Sequence, residues 1–364
     1  MNWVNKIKNT SPVNKYRLKR IVVISICWTL IDLFLYYRNV RSGSNVEYPY
    51  QESSTNAILL RSSIFLIISF VMAYIQVKDL RYFLRNRSIV MGWVLKGLLL
   101  LICAFIATFL VFTLHYTLLK DMSFGQSVHQ YLNYFIHTRY ITDSLLFWIV
   151  MLLSAQVIVE IDQKYSPGVF WEVFTGKYLR PRNEKRIIMF LDLKDSTPIA
   201  EQLGHEKYFL FIKDFIYYVS KAVLHNRGMI YQYVGDEVVV TWPYRRSNVQ
   251  KSVRTVIESR RAIQRKSDYF RRNYGVVPEF RVGLHAGDVT IGEIGIIKKD
   301  LAISGEAMNT AARIRSACNE LNQKFIVSRD YFDTGILKSW QGESLGEVSL
   351  KGLDESIELY ALKI

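Results

Sequence analysis

Apolar and polar residues are distributed very differently in the two halves of this chain. Up to about position 160, apolar residues form long runs that are separated by short polar segments. Each run is about as long as a helix that crosses a lipid bilayer. We therefore expect residues 1–161 to form an all-α membrane domain of four transmembrane helices, at Ile21–Tyr37, Ala57–Val77, Val90–Tyr116 and Leu145–Ile161.

Basic residues predict the orientation of this domain. The N-terminal segment and the loop Lys78–Arg87 are rich in Lys and Arg, whereas the loop Asn39–Asn56 is poor in them. Because basic loops stay in the cytoplasm, both termini are expected there, in a multi-pass protein of the cell inner (plasma) membrane. A cleaved signal peptide is the alternative for the first run, but no small-residue cleavage site follows it.

Three charged residues, Asp32, Arg61 and Lys96, lie within the predicted spans. Charges inside a membrane usually face a bundle interior or a charged partner. For Arg61 we expect snorkelling or one structural ion pair. For Asp32 and Lys96, a structural role and a sensing role are both open.

The second half of the chain alternates short β-prone runs with longer helical patterns, after a polar linker over residues 162–185. Helices are expected at Ile199–Leu224, Ser247–Phe270 and Ala307–Leu321. This β-α-β-β-α-β order predicts an α+β, ferredoxin-like domain over residues 186–364, with an antiparallel sheet and its helices on one face. The predicted strands are Ile187–Leu193, Met229–Val234, Glu237–Trp242, Phe280–His285, Val289–Gly292, Lys324–Ser328, Val348–Leu350 and Glu358–Leu362.

Two carboxylates lie where this topology converges. Asp192 comes at the end of the first strand, and Asp236 lies in the Gly235-Asp236 turn between the second and third strands. Two magnesium ions would relieve the repulsion between such carboxylates. This arrangement suits a displacement at phosphorus, because one ion activates an attacking hydroxyl and the other holds the phosphates. An ordinary turn residue is the alternative for Asp236.

Asn309 and Arg313 are the third candidate element. They are four residues apart on a predicted helix and therefore share one of its faces. An amide and a guanidinium there can orient a ribose and stabilise charge on a phosphoryl group. A capping Asn with a solvated Arg is the alternative.

Together these residues resemble the class III nucleotidyl cyclase family, over about Arg186–Ile364. An N-terminal membrane anchor before such a domain is similar to the membrane-bound bacterial members. The motifs that carry the resemblance are Phe190-Leu191-Asp192, Tyr233-Val234-Gly235-Asp236-Glu237, Arg281-Val282-Gly283-Leu284-His285-Ala286-Gly287, Gly305-x-x-x-Asn309-x-x-x-Arg313 and Leu350-Lys351-Gly352.

The resemblance implies an activity, cofactors and partners. ATP would be converted to 3′,5′-cyclic AMP and pyrophosphate with two Mg²⁺ or Mn²⁺ ions per active site. Asn309 and Arg313 would stabilise the transition state from the opposite subunit of a homodimer. Because a site split between two subunits is sensitive to small rotations, we also expect the membrane domain to dimerise and to regulate the cyclase through residues 162–185. The implied metal ligands are Asp192, Leu193 and Asp236, and Leu193 and Lys351 would also contact the nucleotide, Lys351 at its terminal phosphates.

Base selection is where the chain departs from the family pattern. Adenine-selective members carry a Lys four residues before the second metal aspartate, with an Asp or Thr partner three residues before the motif glycine. This chain has Gln232 and Ala302 at those positions. An amide can donate and accept, so Gln232 can read adenine or guanine. Because the guanylate-type Glu is also absent, ATP is the expected substrate and GTP the alternative.

Net charge allows a further class of partner, since 47 Lys and Arg against 32 Asp and Glu give +15. Basic cytoplasmic loops and an anionic lipid surface account for this excess, so no nucleic-acid partner is expected. A diguanylate cyclase is another alternative because of Gly235-Asp236-Glu237, but the preceding second Gly and the following Phe are missing. A membrane receptor that binds nucleotide without turnover is a further alternative to a cyclase, although the intact aspartates argue against it.

Overall fold

The chain folds into two compact units, Met1–Lys164 and Tyr165–Ile364. A computed structural model describes residues 12–42, 55–77, 89–137, 149–159, 161, 169–297, 299–333, 342–350 and 356–363. The described part of the first unit is helical. Its helices are α1 (Pro12–Ser42), α2 (Thr55–Val77), α3 (Ile89–Leu119), α4 (Phe124–His137) and α5 (Ile149–Val159).

Two of these helices, α2 and the Met91–Leu119 part of α3, are long and apolar enough to cross a membrane, among the residues that the structure describes. They coincide with the second and third predicted spans. Helix α1 includes the first predicted run, and α5, which is shorter, covers much of the fourth. Membrane association is thus supported by two helices through length and composition alone, and the four-span arrangement remains a prediction.

Charged side chains inside this helical unit have partners. Arg61 donates two hydrogen bonds to the Asp32 carboxylate, at 2.7 and 2.8 Å, and its guanidinium lies 4.8 Å from the centre of the Tyr36 ring. Lys96 Nζ donates to the main-chain oxygen of Gln76 at 3.2 Å. Arg61 therefore forms the structural ion pair that was one of its two expected roles, and Asp32 is its partner.

The second unit combines a sheet with helices. Its helices are α6 (Val169–Phe174), α7 (Ser196–Leu203), α8 (His205–His225), α9 (Arg246–Gln264), α10 (Ser267–Tyr274), α11 (Glu306–Glu320) and α12 (Arg329–Phe332). Its strands are β1 (Arg182–Leu193), β2 (Met229–Val234), β3 (Glu237–Pro243), β4 (Phe280–Ile294), β5 (Asp300–Ser304), β6 (Phe325–Ser328), β7 (Gly342–Val348) and β8 (Ile357–Leu362).

The strands form one sheet in the order β2-β3-β1-β4-β6-β8-β7, with β5 paired to β4. From β2 to β4 every neighbouring pair is antiparallel, as predicted for a ferredoxin-like domain. Strand β6, in contrast, pairs with β4 in parallel, so the prediction of a fully antiparallel sheet is wrong there. The reason is the connection: a long crossover that contains α11 leads to β6, and such crossovers allow parallel pairing.

Helices cover both faces of the sheet, which corrects the prediction that they lie on one. Helices α8, α9 and α10 pack on the face that contains Met189 and Leu191 of β1. On the opposite face, which we call the α11 face, Ala307 and Ala311 pack with Ile188 of β1. Because successive strand residues point to opposite faces, β1 contributes side chains to both cores.

Several predicted elements have different bounds in the structure. The helix predicted at Ile199–Leu224 is two helices, α7 and α8, because Gly204 between them adopts a φ of 71°. The helix predicted at Ser247–Phe270 is likewise divided into α9 and α10. Strand β4 continues through Gly287-Asp288 instead of turning there, because β1 pairs with it on both sides of that point. Strands β5 and β7 were not predicted, although the predicted strand Val348–Leu350 begins where β7 ends.

Candidate active site

Asp192 and Asp236 lie at the same edge of the sheet. Asp192 follows Leu191, which is paired with Val238 of β3. Asp236 precedes Val238 by two residues, in the β2–β3 turn, where Gly235 adopts a φ of 62°. Both aspartates are half-buried. The structure therefore brings together the two carboxylates that the topology was expected to bring together.

Electrostatic interactions link these carboxylates to one another. Burial raises the pKa of Asp192 from 3.8 to about 6. The Arg315 guanidinium opposes this rise in pKa, whereas the negative charges of Asp236 and Glu237 add to it. Like charges at short range disfavour the ionised form, so a cation bound beside Asp192 would recover the cost of ionising it.

The donor set fits a divalent cation. Asp236 Oδ2 is buried and has no hydrogen-bond partner within the described residues, which is costly for a carboxylate oxygen unless a ligand satisfies it. The described residues contain no cluster of three or more His, Cys, Asp or Glu side chains that could hold a metal. Two carboxylates nevertheless suffice for Mg²⁺, which takes further oxygens from substrate phosphates. The Leu193 side chain is buried in the core, so only its main-chain oxygen is available as a ligand.

Glycines on β4 let helix α11 lie against the sheet. A Cβ at Gly283 would approach the main-chain oxygen of Ala311 to 2.8 Å, and a Cβ at Gly287 would approach Ala307 Cβ to 2.7 Å. Neither position has room for a larger residue. Helix α11 therefore contacts the β4 backbone directly, and this contact sets the height of its side chains above the sheet.

Asn309 and Arg313 are both exposed on α11, one turn apart. Arg315 comes two residues later, about 200° further around the helix axis. It faces the carboxylates of its own chain, because its guanidinium lies within 3.2 Å of Asp192. Asn309 and Arg313 therefore do not share the helix face that Arg315 presents to those carboxylates.

The two base-selection candidates, Gln232 and Ala302, lie on different strands, and each is next in sequence to one partner of a hydrogen bond that links those strands. Gln232 is exposed on β2, where an irregular register places Tyr231 as an extra residue opposite β3. The Tyr231 hydroxyl accepts a hydrogen bond from the main-chain N–H of Ile303 on β5, at 3.2 Å. Ala302, half-buried, precedes Ile303. The Tyr231–Ile303 contact thus brings the neighbourhoods of Gln232 and Ala302 together within one chain.

Two other residues of the sequence motifs are Lys351 and His285. Lys351 lies outside the described residues, but the preceding Leu350 packs against Ile314 of α11. His285 on β4 is buried, and its Nδ1 lies 2.8 Å from Ser328 Oγ. Burial lowers the pKa of His285 from 6.5 to about 4, so the ring is neutral at pH 7. This histidine is a hydrogen-bonded part of the core.

The motifs, the sheet and α11 agree with a family comparison. A family model described as the adenylate and guanylate cyclase catalytic domain matches residues 180–364, just over half of the chain. The chain belongs to this family. The class III cyclase resemblance predicted from the motifs is thereby confirmed.

Individual cyclases are similar to this chain over the same part. Adenylate cyclase 2 of Rhizobium meliloti (strain 1021) is 30% identical over 212 residues, which are 56% of this chain and 57% of that protein. The adenylate cyclase of Anabaena cylindrica is 24% identical over 183 residues, which are 48% of this chain and 36% of that protein. This chain thus spans about half or less of the length of these relatives.

A solved structure supports the fold of this cyclase-family chain. A bacterial light-regulated adenylyl cyclase superposes with a TM-score of 0.52 at 16% identity, over 62% of this chain and 66% of the other. At that identity the likeness concerns the fold alone.

Two residues of the site were not foreseen from the sequence, namely Glu237 and Arg315. Arg315 Nε donates to Glu237 Oε2 at 3.0 Å, and Arg315 Nη2 lies 3.2 Å from Asp192 Oδ2. The available signals were a third carboxylate directly after Asp236 and a second arginine two residues after Arg313. Neither signal indicates a contact until the rotation of α11 about its axis is known.

Proposed function

We propose that this protein is a membrane-bound adenylate cyclase, which converts ATP into 3′,5′-cyclic AMP and pyrophosphate at sites shared between two copies of the chain. The observation that carries the proposal is the carboxylate pair, in which Asp236 Oδ2 is buried without a hydrogen-bond partner in the described part of the chain. The electrostatic repulsion between Asp192 and Asp236 supports it, because a negative site of this kind is suited to divalent cations that also bind the phosphates of a nucleotide.

In this proposal Asp192 and Asp236 hold two divalent cations, Mg²⁺ or Mn²⁺, together with the main-chain oxygen of Leu193. When bound, the cations would lower the pKa of the attacking ribose 3′-hydroxyl and neutralise charge on the phosphates. With a pKa of about 6, Asp192 is mostly ionised at pH 7 and available as a ligand. The Leu193 side chain anchors this end of β1 in the core and thereby fixes the direction of the carboxylate beside it.

Asn309 and Arg313 act from the second copy of the chain. Their exposure on α11, away from the face that Arg315 presents to its own carboxylates, supports this assignment. The Asn309 amide would orient the ribose, and the Arg313 guanidinium would stabilise negative charge that develops on the α-phosphoryl group. A homodimer then contains two equivalent sites, each with carboxylates from one copy and the Asn/Arg pair from the other.

The base and the terminal phosphates are assigned to the remaining candidates. Gln232 reads the base with its amide, while Ala302 leaves room for the ring and makes no side-chain hydrogen bond. Lys351 contacts the terminal phosphates. GTP is the second candidate substrate, because the exposed Gln232 amide can offer its carbonyl oxygen to the guanine amino group as readily as it offers its N–H to adenine.

The membrane part of the proposal is a four-helix domain in the inner membrane with both termini in the cytoplasm. The apolar helices α2 and α3 support it. Control of the cyclase by this domain would pass through residues 162–185. The described end of that segment is tied together by Glu172, which pairs with Lys177 at 2.9 Å and accepts a hydrogen bond from Tyr178 at 3.0 Å.

The decisive experiment measures cyclic nucleotide formation by the purified full-length protein. ATP and GTP are each supplied with Mg²⁺ or Mn²⁺, and Asp236→Ala and Arg313→Ala are assayed in parallel. We expect cyclic AMP from the wild type and none from either variant. A mixture of the two variants should recover part of the activity, because one of the two sites in a mixed dimer would be intact.

Each other outcome has a definite meaning. Cyclic GMP as the product would retain the mechanism and replace the substrate. Activity in Asp236→Ala would remove this aspartate from the metal site. Failure of the mixed variants to recover activity, with both variants folded and dimeric, would overturn the shared site. Nucleotide binding without any product would favour a membrane receptor with an inactive cyclase domain.

A further inference from the structure

Arg315 connects two acidic residues at the proposed metal site. Its Nη2 lies 3.2 Å from Asp192 Oδ2, and its Nε donates to Glu237 Oε2 at 3.0 Å. The three side chains are between 16% and 21% exposed, so solvent screens these ion pairs only in part. The Arg315 guanidinium therefore already neutralises part of the charge that a metal ion would meet.

The position of Arg315 is fixed by its backbone. Gly283 of β4 lies directly beneath it, and a Cβ there would approach Arg315 Cα to 2.8 Å. The guanidinium thus extends from a rigid base toward the carboxylates. Arg281 is opposite Asp192 in the β1–β4 register, but its Nη1 donates to Asn319 instead. Among these two arginines, only Arg315 forms an ion pair with Asp192 in the described structure.

We propose that Arg315 is a resident counter-cation of the metal site, which holds Asp192 until a divalent cation takes over its Oδ2 oxygen. Glu237 is then the anchor that retains the guanidinium after Asp192 has been released. In this role Arg315 is a positioning residue, which acts through the Asp192 carboxylate. The inference rests on the proposed function.

The consequence is a competition between two cations for one carboxylate. The metal has to displace Arg315 and then remain near its positive charge, so the site binds a free cation weakly. A cation that arrives with nucleotide phosphates brings compensating negative charge and is penalised less. Arg315 would thereby favour metal that enters with the nucleotide over metal that binds alone.

Mn²⁺ binding to the full-length protein without nucleotide tests this directly, with electron paramagnetic resonance of free Mn²⁺ as the readout. For Arg315→Gln we expect Mn²⁺ to bind about tenfold more tightly than to the wild type, because a nearby positive charge is removed. The unfolding temperature in EDTA should fall in the same variant, because Asp192 and Glu237 lose their shared partner. Arg254→Gln, an exposed change of equal charge on α9, should leave both quantities unchanged.

Unchanged or weaker Mn²⁺ binding by folded Arg315→Gln would overturn the inference. If that variant does not fold, Arg315→Lys replaces it, since a point charge cannot bridge both carboxylates, and we expect about threefold tighter binding. Unchanged binding by the Lys variant would then overturn the inference equally. Failure of the proposed function looks different: neither the wild type nor Arg315→Gln would bind Mn²⁺ even with ATP present, or Asp236→Ala would bind it as tightly as the wild type.

Discussion

Acid should destabilise the second unit through one buried imidazole, that of His285. Burial is the main cause of its lowered pKa, and Lys185 adds to the lowering while Asp330 opposes it. Because the folded pKa of about 4 lies below the ordinary 6.5, the fold favours the neutral ring. This contribution to stability is complete above pH 6.5 and is lost as the pH falls from there toward about 4. With these two pKa values, the loss at about pH 5 is about 2 kcal/mol relative to neutral pH.

Denaturant unfolding at several pH values measures this loss in the full-length protein, with tryptophan fluorescence as the readout, to which the fully buried Trp242 of the second unit contributes. His285→Asn is the matched variant, because its amide can still hydrogen-bond Ser328 but does not titrate. All other groups titrate in both proteins, so the difference between them isolates the imidazole. The wild type should lose about 2 kcal/mol more than the variant between about pH 7.5 and about pH 5. Equal losses in the two proteins would refute the reasoning.

Three further changes have defined outcomes. Gly283→Ala should push α11 off β4 and lower the free energy of unfolding by about 1–3 kcal/mol, and an unchanged denaturation midpoint would contradict the contact. Asp214→Asn should lower the free energy of unfolding by about 1–2 kcal/mol, because Asp214 accepts hydrogen bonds from Tyr269 and Tyr274, both at 2.7 Å. Thermal unfolding measures this loss of stability, and a variant as stable as the wild type would contradict it. Asp192→Asn should stabilise the protein by about 1–3 kcal/mol at neutral pH in EDTA, which would appear as a higher unfolding temperature. The reason is that the pKa of Asp192 is raised to about 6, so ionising this carboxyl at neutral pH costs the folded state free energy. A lower unfolding temperature would disprove this.

Local patterns predicted the parts of the fold that depend on local physics. Strand β2 has the predicted bounds, Met229–Val234, because a tight Gly235-Asp236 turn ends it. Helix α11 was predicted to within a residue of Glu306–Glu320. The convergence of Asp192 and Asp236 also followed from strand order, since neighbouring strands and their turns share an edge of the sheet.

Features that depend on non-local pairing were harder to predict. A Gly-Asp pair reads as a turn, yet Gly287-Asp288 lies within β4 because β1 continues alongside it. Strand β5 is short and partly polar, and only its pairing with β4 makes it a strand. The face on which α11 packs depends on glycines of another element, so its position opposite α8, α9 and α10 was not predicted.

The sequence predicted that the two candidate carboxylates lie together, but it did not predict the positive charge of Arg315 beside them. A carboxylate after a strand and an Asn/Arg pair one turn apart are patterns that short sequence windows contain. The ion pairs of Arg315 join α11 to β1 and β3, which are more than seventy residues away along the chain. Their existence depends on how α11 is rotated about its axis, which a window of its own sequence does not determine.

Strand β4 serves as a common reference for three parts of the proposed site within one chain. It pairs with the strand that carries Asp192, supports α11 through Gly283, and pairs Gly292 with Ala302 of β5. Because each part contacts β4 directly, a small displacement of this strand moves all three parts together and changes their relative positions little. For engineering, an insertion or deletion of one residue in β4 would turn its following side chains to the opposite face and disconnect all three parts at once. Changes of length intended to retune this protein belong in the connections outside that strand.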